Sequence, residues 1–153
     1  MLLSTAKSAA LLENICGKSS SVSVTTSGNA WLGLFTTKPN SSGSSGVEVS
    51  SSGKNYSRVE ISSFMSATTR SIVNTNDINF NAAIVPSDPT AQTGADWGTI
   101  VAFGLFTART GGTLYAWGDL ESSVTVNTQN TLHFLAGKFE LFLDESVSAS
   151  ATT

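Results

Sequence analysis

Beyond Gly17 the sequence is a succession of short apolar runs, rich in β-branched and aromatic residues, that Gly-, Ser- and Asn-rich segments separate. Short strands with frequent turn signals are typical of an antiparallel sandwich or barrel. Helices do not alternate with these runs, which argues against a parallel nucleotide-binding sheet. We therefore predict an all-β fold, a single antiparallel β-sandwich of jelly-roll type. The predicted strands cover residues 30–37, 56–61, 73–80, 98–106, 113–117, 124–126, 131–135 and 138–143.

One segment near the N-terminus has helical periodicity. Ser4 is a suitable N-cap, apolar residues then recur at helical spacing, and Gly17 supplies a C-terminal stop. We predict one short α-helix over residues 4–16, with Leu2 and Leu3 packing at its entry. A helix of this length is marginal alone, so its apolar stripe must pack on the domain or on a neighbouring subunit. We expect it to be an assembly element, with the candidate assembly residues Leu3, Leu11, Leu12 and Ile15.

The chain is predicted to have three parts: a helical unit over residues 1–18, a β-sandwich domain over residues 19–145, and a flexible tail over residues 146–153. Its 153 residues suffice for one hydrophobic core. Within the β-domain, residues 38–53 form a loop dense in Ser and Gly. Because such a segment buries little apolar area, we expect it to be mobile or to become ordered only in a larger particle.

Charged residues make up only 12% of the chain, and the net charge is −3. A surface of hydroxyl groups suits a protein that partners cover, or an extracellular β-protein. The lack of a basic face argues against nucleic-acid binding. The single cysteine, Cys16, excludes an internal disulfide and favours folding in a reducing cytoplasm. We find no signal peptide and no apolar run of membrane-spanning length, and we expect cytosolic synthesis and no membrane partner.

The sequence displays no recognisable catalytic set, and we predict a non-enzymatic protein with no cofactor and no metal. His133 is the only histidine, and it lies in a predicted strand without the nucleophile motif of a serine hydrolase. Asp96, Asp119 and Glu121 border predicted strands and are the candidates for the carboxylate pair of a glycan hydrolase. Because 11 acidic residues on a small β-domain produce such neighbours by chance, we favour solvated turn residues.

Two further groups of residues have both a functional and a structural interpretation. A cluster of side-chain oxygens occurs at Asn74, Asn76, Asp77 and Asn79. It lacks the Gly and the closing Glu of a calcium loop, so we interpret it as turn chemistry. Trp31, Trp97 and Trp117 are candidates for a sugar-stacking platform. Core packing is the favoured interpretation, because buried aromatic side chains contribute most of the apolar area in a small β-domain.

A Gly-Gly pair, Gly111 and Gly112, separates two apolar runs. A phosphate-binding loop would need a following helix and a nearby Lys, whereas a β-rich run follows here. We therefore predict that residues 107–112 connect two strands of a hairpin, with the glycines at positive φ. Arg109 at the tip is interpreted as a solvated charge or as a contact to a neighbouring subunit.

Several motifs occur in a defined order, among them YSRV, DWGTIVAFGLFTA and TGGTLYAWGDL. In this order they resemble a family of small tailed-bacteriophage virion proteins, usually called phage tail fibre proteins, over roughly residues 3–143. The family pattern is Tyr-x-Arg, then Trp-Gly, an apolar strand, Gly-Gly and Gly-x-Leu. The positions that carry the resemblance, with an implied structural function, are Tyr56, Arg58, Trp97, Gly98, Gly111, Gly112, Trp117 and Gly118.

The resemblance implies a structural virion component, of the tail or neck fibre type or decorating the particle, that is made in the cytoplasm of the bacterial host. Its implied partners are other virion proteins and further copies of itself, with a trimer as the first expectation. Two alternatives stay open, a capsid decoration or cement protein and a host-surface carbohydrate-binding module that contacts a host glycan.

Overall fold

The predicted helix lies outside the part of the chain that the structure describes. The computed structural model describes residues 2–3, 29–52, 54–67, 71–81, 96–127 and 130–142. The predicted assembly residues Leu11, Leu12 and Ile15 and the predicted tail are also outside these ranges, and the division into three parts stays a prediction. In the described ranges, helical structure is confined to one 3-10 turn, Ser62–Phe64.

The regular structure of the described residues consists almost entirely of antiparallel β-strands. The strands are β1 (Leu2–Leu3), β2 (Trp31–Thr37), β3 (Val47–Glu48), β4 (Val59–Glu60), β5 (Met65–Ala67), β6 (Ser71–Asn74), β7 (Ile78–Asn81), β8 (Gly98–Phe106), β9 (Leu114–Val126), β10 (Thr131–Phe134) and β11 (Glu140–Phe142). Every strand pair is antiparallel. The prediction of an antiparallel β-protein is confirmed, and the sandwich and jelly-roll arrangement of its strands stay predictions.

One large sheet organises the fold. Its strand order is β1-β9-β8-β2-β3, and β4 also pairs with β2. The smaller sheets have the orders β10-β7 and β11-β6-β5. Leu32 and Ile100 of the large sheet belong to the same buried cluster as Phe80 and Leu141 of the smaller sheets. The large sheet and the two smaller sheets therefore share the main core.

A second, smaller cluster lies on the opposite face of the large sheet. Because successive side chains of a strand point to opposite faces, Phe35 lies across β2 from the core residue Leu34. Phe35 packs with Ala102 and Phe106, and the two phenylalanine rings stack with centroids 6.0 Å apart. Both faces of the large sheet are thus apolar near its centre.

The N-terminal residues form a strand that the sequence did not predict. Leu2–Leu3 form strand β1, which pairs with Trp117 and Ala116 of β9. Their packing at the entry of a helix stays a prediction. The edge of β9 offers backbone donors and acceptors that a helix cannot use, whereas an extended dipeptide pairs with them directly. Periodicity analysis cannot detect a two-residue strand, because a strand this short is selected by its partner.

The hairpin of β8 and β9 confirms the prediction for the Gly-Gly segment. Gly111 and Gly112 lie in the loop between the two strands, with φ of +62° and +71°. The two separately predicted strands after the loop are one strand, β9, with an interrupted register. Asp119 pairs with Ala102 and Val124 pairs with Ile100, so residues 120–123 lie opposite a single residue of β8. We call residues 120–123 the β9 bulge.

The Ser- and Gly-rich loop has a defined local structure. Asn40 organises its first part, since its side-chain oxygen accepts hydrogen bonds from the backbone N–H groups of Ser42 and Ser44 at 3.1 and 3.0 Å. Pro39 is buried, and β3 pairs with β2 further along the loop. Local Asn–backbone bonds and an adjacent strand edge therefore give the segment defined structure with little apolar burial, and its mobility stays a prediction.

The Asn-rich turn between β6 and β7 is held by Asn74, which is 1% exposed. Its side-chain nitrogen donates to the carbonyls of Asn76 at 2.8 Å and Leu135 at 2.9 Å, and its side-chain oxygen accepts from the N–H of Phe139 at 2.8 Å. Asp77 accepts a hydrogen bond from the N–H of Ala136 at 2.8 Å. The turn interpretation is confirmed, and the "Asn74 cluster" denotes Asn74 with these backbone partners.

Candidate functional site

The Tyr-x-Arg motif precedes β4 and meets Glu48 at the end of β3. Two residues apart, Tyr56 and Arg58 both reach the Glu48 carboxylate, Tyr56 through its hydroxyl at 2.9 Å and Arg58 through Nε at 2.8 Å and Nη2 at 2.7 Å. We call Tyr56, Arg58, Glu48 and Phe106, with the loop of residues 107–113, the Arg58 cluster. It joins two loops and the large sheet at one end of the β8–β9 hairpin.

Tyr56 completes the hydrogen-bond ladder along the edge of β2. On that edge β4 pairs with Trp31 and Leu32, and β3 pairs with residues from Phe35 onward. The N–H of Leu34 lies between these two pairings and donates to the Tyr56 hydroxyl at 2.8 Å. Burial, followed by the charge of Glu48, raises the pKa of Tyr56 well above its ordinary value, so the hydroxyl stays a neutral donor to the carboxylate.

Arg58 uses four of its five N–H groups within the described residues. Two form a bidentate pair with Glu48, and Nη1 donates to the carbonyls of Ala108 at 2.8 Å and Gly111 at 2.6 Å. The guanidinium carbon lies 3.3 Å from the centroid of the Phe106 ring. With its side chain 9% exposed, Arg58 ties the hairpin loop to β3 through directional bonds and a cation–π contact.

Gly33 is required where the cluster meets the sheet. A Cβ at this position would lie 2.7 Å from the Phe106 ring, 2.9 Å from Glu48 Oε1 and 3.2 Å from the Tyr56 hydroxyl. Each of these distances is shorter than an ordinary van der Waals contact. The glycine in WLGLF therefore provides the space into which the cluster packs.

The hairpin loop is also held by its own bonds. The N–H of Thr107 donates to the carbonyl of Thr113 at 3.1 Å, and the N–H of Thr113 donates to the Thr107 hydroxyl at 2.9 Å. Arg58 binds carbonyls on both sides of Arg109 and Thr110, which form the exposed tip. A cleft of about 190 Å³ lies beside this tip, with Ser51, Ser57 and the Glu48–Arg58 pair among its lining residues.

The remaining motif positions surround the core. Trp97 is 2% exposed, donates from Nε1 to the carbonyl of Lys54 at 2.6 Å, and packs edge-on against Tyr56 at a centroid distance of 5.3 Å. Gly98 has φ of +85°, and a Cβ on Gly118 would lie 2.7 Å from the Phe103 ring.

Two of the three tryptophans confirm the core-packing interpretation. Trp97 and Trp117 are 2% and 5% exposed, so neither offers a ring face to a ligand. Trp31 is half-buried against the second cluster. Trp117 differs from Trp97 in its polar atom: Nε1 of Trp117 is buried without a hydrogen-bond partner among the described residues.

The candidate catalytic residues lie elsewhere, and the structure brings some of them together. His133 is exposed on β10, paired through its backbone with Asn79. It lines a groove of about 690 Å³ together with Asp119 and Glu121, whereas Asp96 does not line it. We call this the acidic groove. Asp119 also forms an ion pair with Lys38 at 3.4 Å, with both side chains more than half exposed.

The described residues include no group of three or more His, Cys, Asp or Glu side chains arranged to hold a metal ion. Around Arg58, the carboxylate and the guanidinium bind each other and the backbone. The geometry therefore fits a structural cluster that fixes a loop.

Sequence reasoning missed Glu48, Phe106 and Gly33, on which the Arg58 cluster depends. One signal was present for Glu48, since it is the only charged residue between Lys38 and Lys54. A single carboxylate within an uncharged Ser/Gly segment, ten residues before an arginine, points to a specific partner. Phe106 and Gly33 gave no separate signal, because both fit an ordinary buried strand.

Within the described ranges, no helix has the length and apolar character needed to cross a membrane.

Most of the chain is similar to a known protein family. Among curated proteins, none matches the chain. A family described as podophage GP4 fiber I protein gp80 matches residues 3–141, a span that includes every motif position of the predicted resemblance. The chain therefore belongs to this family of bacteriophage fibre proteins.

Proposed function

We propose that this protein is a structural, non-catalytic component of a tailed-phage particle that self-associates and docks on other virion proteins. Family membership supports a fibre protein of a bacteriophage and therefore a place in the virion. The proposed sequence of events is synthesis in the host cytoplasm followed by incorporation into the particle. A trimer is the first expectation for its oligomeric state.

The observation that carries this proposal is that the family-motif residues bond to other parts of the same chain. Tyr56 and Arg58 bond to Glu48 and to the loop that contains Gly111. These bonds fix the relative positions of three chain segments and leave the guanidinium and the carboxylate engaged with each other. A family motif used in this way supports a scaffold whose surface is recognised by partners.

The tail or neck fibre position is favoured over capsid decoration because the matching family is a fibre family. The carbohydrate-binding alternative depended on exposed tryptophans, and burial of Trp97 and Trp117 removes most of the proposed platform. We therefore retain the fibre proposal alone.

Mass spectrometry of gradient-purified particles tests the proposal directly. We expect the chain at a copy number that is a multiple of its oligomeric state, and a labelled chain visible at the tail or neck in low-resolution images. Absence of the chain from washed particles would refute the virion proposal, and label on the capsid faces would refute the fibre position.

A further inference from the structure

The tip of the β8–β9 hairpin presents a cation, Arg109, that has no ion-pair partner among the described residues. The described part of the chain has two ion pairs, Lys38–Asp119 and Arg58–Glu48, and Arg109 belongs to neither. Arg109 is exposed, and no hydrogen bond joins its side chain to another described residue. Its backbone is held, because Arg58 binds the carbonyls of Ala108 and Gly111 on either side. A residue on a fixed loop loses little backbone freedom when it binds, so the ordering cost is confined to its own side chain.

The acidic groove, near the middle of the β8–β9 pairing, has the opposite charge. Its lining includes three carboxylates, Asp119, Glu121 and Glu140, and one ammonium group, Lys138. Asp119 is paired with Lys38, whereas Glu121 and Glu140 form no ion pair with any described residue. Its apolar lining comes from core residues at the groove floor, which include Phe103, Leu132 and Phe139. The groove therefore combines an apolar floor with unpaired negative charge.

We propose that the Arg109–Thr110 tip of one copy docks into the acidic groove of a second copy, with Arg109 paired to Glu121. This inference rests on the self-association proposed above and names the surfaces that carry it. Arginine suits such a contact, because its planar fork binds a carboxylate in a bidentate manner. The opposite charges of the tip and the groove favour this register over tip-to-tip or groove-to-groove contacts.

The two surfaces cannot meet within one chain. Leu114 follows the tip and Glu121 lies in the β9 bulge, so the intervening strand separates them by roughly 20 Å. A contact between two different patches is heterologous, and it closes into a ring when the rotation between copies permits. The groove volume of about 690 Å³ accommodates a two-residue tip, whereas the cleft of about 190 Å³ beside the tip is too small for a partner's loop.

Sedimentation velocity of the full chain over a concentration series tests the contact. We expect Arg109→Glu and Glu121→Lys each to lower the association constant at least roughly tenfold. The double variant, which exchanges the two charges, should recover association to within about threefold of the wild type. Both sites are exposed, so circular dichroism should show an unchanged fold for all three variants.

Lys54→Glu is the matched control, because it changes the net charge as Arg109→Glu does at a residue that lines neither the tip cleft nor the groove. It should leave association unchanged. Oligomers that persist in Arg109→Glu, or a double variant that fails to recover, would overturn the inference while self-association stands. A wild-type chain that stays monomeric at every concentration would refute both this contact and the proposed self-association, and the particle test above would still decide virion membership.

Discussion

Two buried polar clusters hold loops in this protein, and they do so with different chemistry. The Arg58 cluster uses an ion pair, a tyrosine hydroxyl and a cation–π contact to hold the β8–β9 loop. The Asn74 cluster uses one neutral amide, which bonds to backbone groups of the β6–β7 turn and of the segment before β11. A neutral amide does not titrate, whereas the Arg58 cluster depends on the charge state of its members. The comparison predicts different responses to mutation and to pH.

Removal of the carboxylate from the Arg58 cluster should give the largest effect. Glu48→Ala leaves the guanidinium of Arg58 nearly buried without its counter-ion, and we expect a loss of about 3 kcal/mol in the free energy of unfolding, discounted for the partial exposure of Glu48. Urea denaturation measures this loss in the free energy of unfolding. The double variant Glu48→Ala with Arg58→Met should lose less than the single variant, because no unpaired charge remains. An equal or larger loss in the double variant would contradict a charge-based cluster.

Removal of the amide from the Asn74 cluster should give the second largest loss of stability. Asn74→Ala leaves the N–H of Phe139 and the carbonyl of Leu135 without their side-chain partner, at a cost of about 2 kcal/mol. The control is Asn76→Ala, an exposed neighbour in the same turn whose carbonyl remains. It should change stability by less than about 0.5 kcal/mol. Equal effects at the two positions would show that the turn needs no buried amide.

A larger side chain at Gly33 tests whether this position holds the hairpin loop in place or only contributes to packing of the core. Gly33→Ala should cost roughly 1–2 kcal/mol and should also accelerate amide hydrogen exchange at Thr113, because the added methyl displaces Phe106 and Glu48. Gly118→Ala also meets a phenylalanine ring at 2.7 Å, that of Phe103, away from the loop. It should destabilise the chain without selective exchange at Thr113. Selective exchange in both variants would refute a direct connection between Gly33 and the loop.

The pH response gives the smallest expected effect. The pKa of Tyr56 is raised in the folded chain, so the folded state keeps its proton at pH values where the unfolded state loses it. This contribution is fully present below the ordinary tyrosine pKa of 10.0 and is lost as the pH rises above it. Tyr56→Phe should therefore flatten the alkaline decline in stability, measured as the melting temperature between neutral pH and about pH 11.

A residual alkaline slope in Tyr56→Phe is expected from Tyr115, because burial also raises the pKa of Tyr115. Asn74→Ala should retain the full slope of the wild type. If Tyr56→Phe left the alkaline decline in melting temperature unchanged, the predicted dependence of the Arg58 cluster on the proton of Tyr56 would be contradicted.

Much of the β8–β9 hairpin could be predicted from the sequence. The apolar runs around Gly111 and Gly112, together with the lack of a following helix, were enough to predict β8, the loop and the start of β9. Burial of Trp97 was likewise predicted, because a large aromatic side chain in a small β-domain contributes most when buried. These elements are long or bulky enough for local pattern to determine them.

Two of the short strands did not follow in the same way, whereas β4 lies within the strand predicted over residues 56–61. β1 and β3 each have two residues, and their pairing depends on an adjacent edge supplied by β9 or β2. Strand propensity is largely a property of the neighbouring surface, so no local pattern marks such segments. The same reason explains why the Tyr56–Arg58 spacing was recognised while Glu48, which the short strand β3 brings to it, was not.

The β9 bulge also allows variation in chain length. Asp119 and Val124 each have a fixed partner on β8, so the register is defined on both sides of the segment. We expect insertions after Glu121 to leave the strand pairs on both sides in place, while they reshape the rim of the acidic groove. An epitope tag inserted at this position should be carried by a normally folded chain.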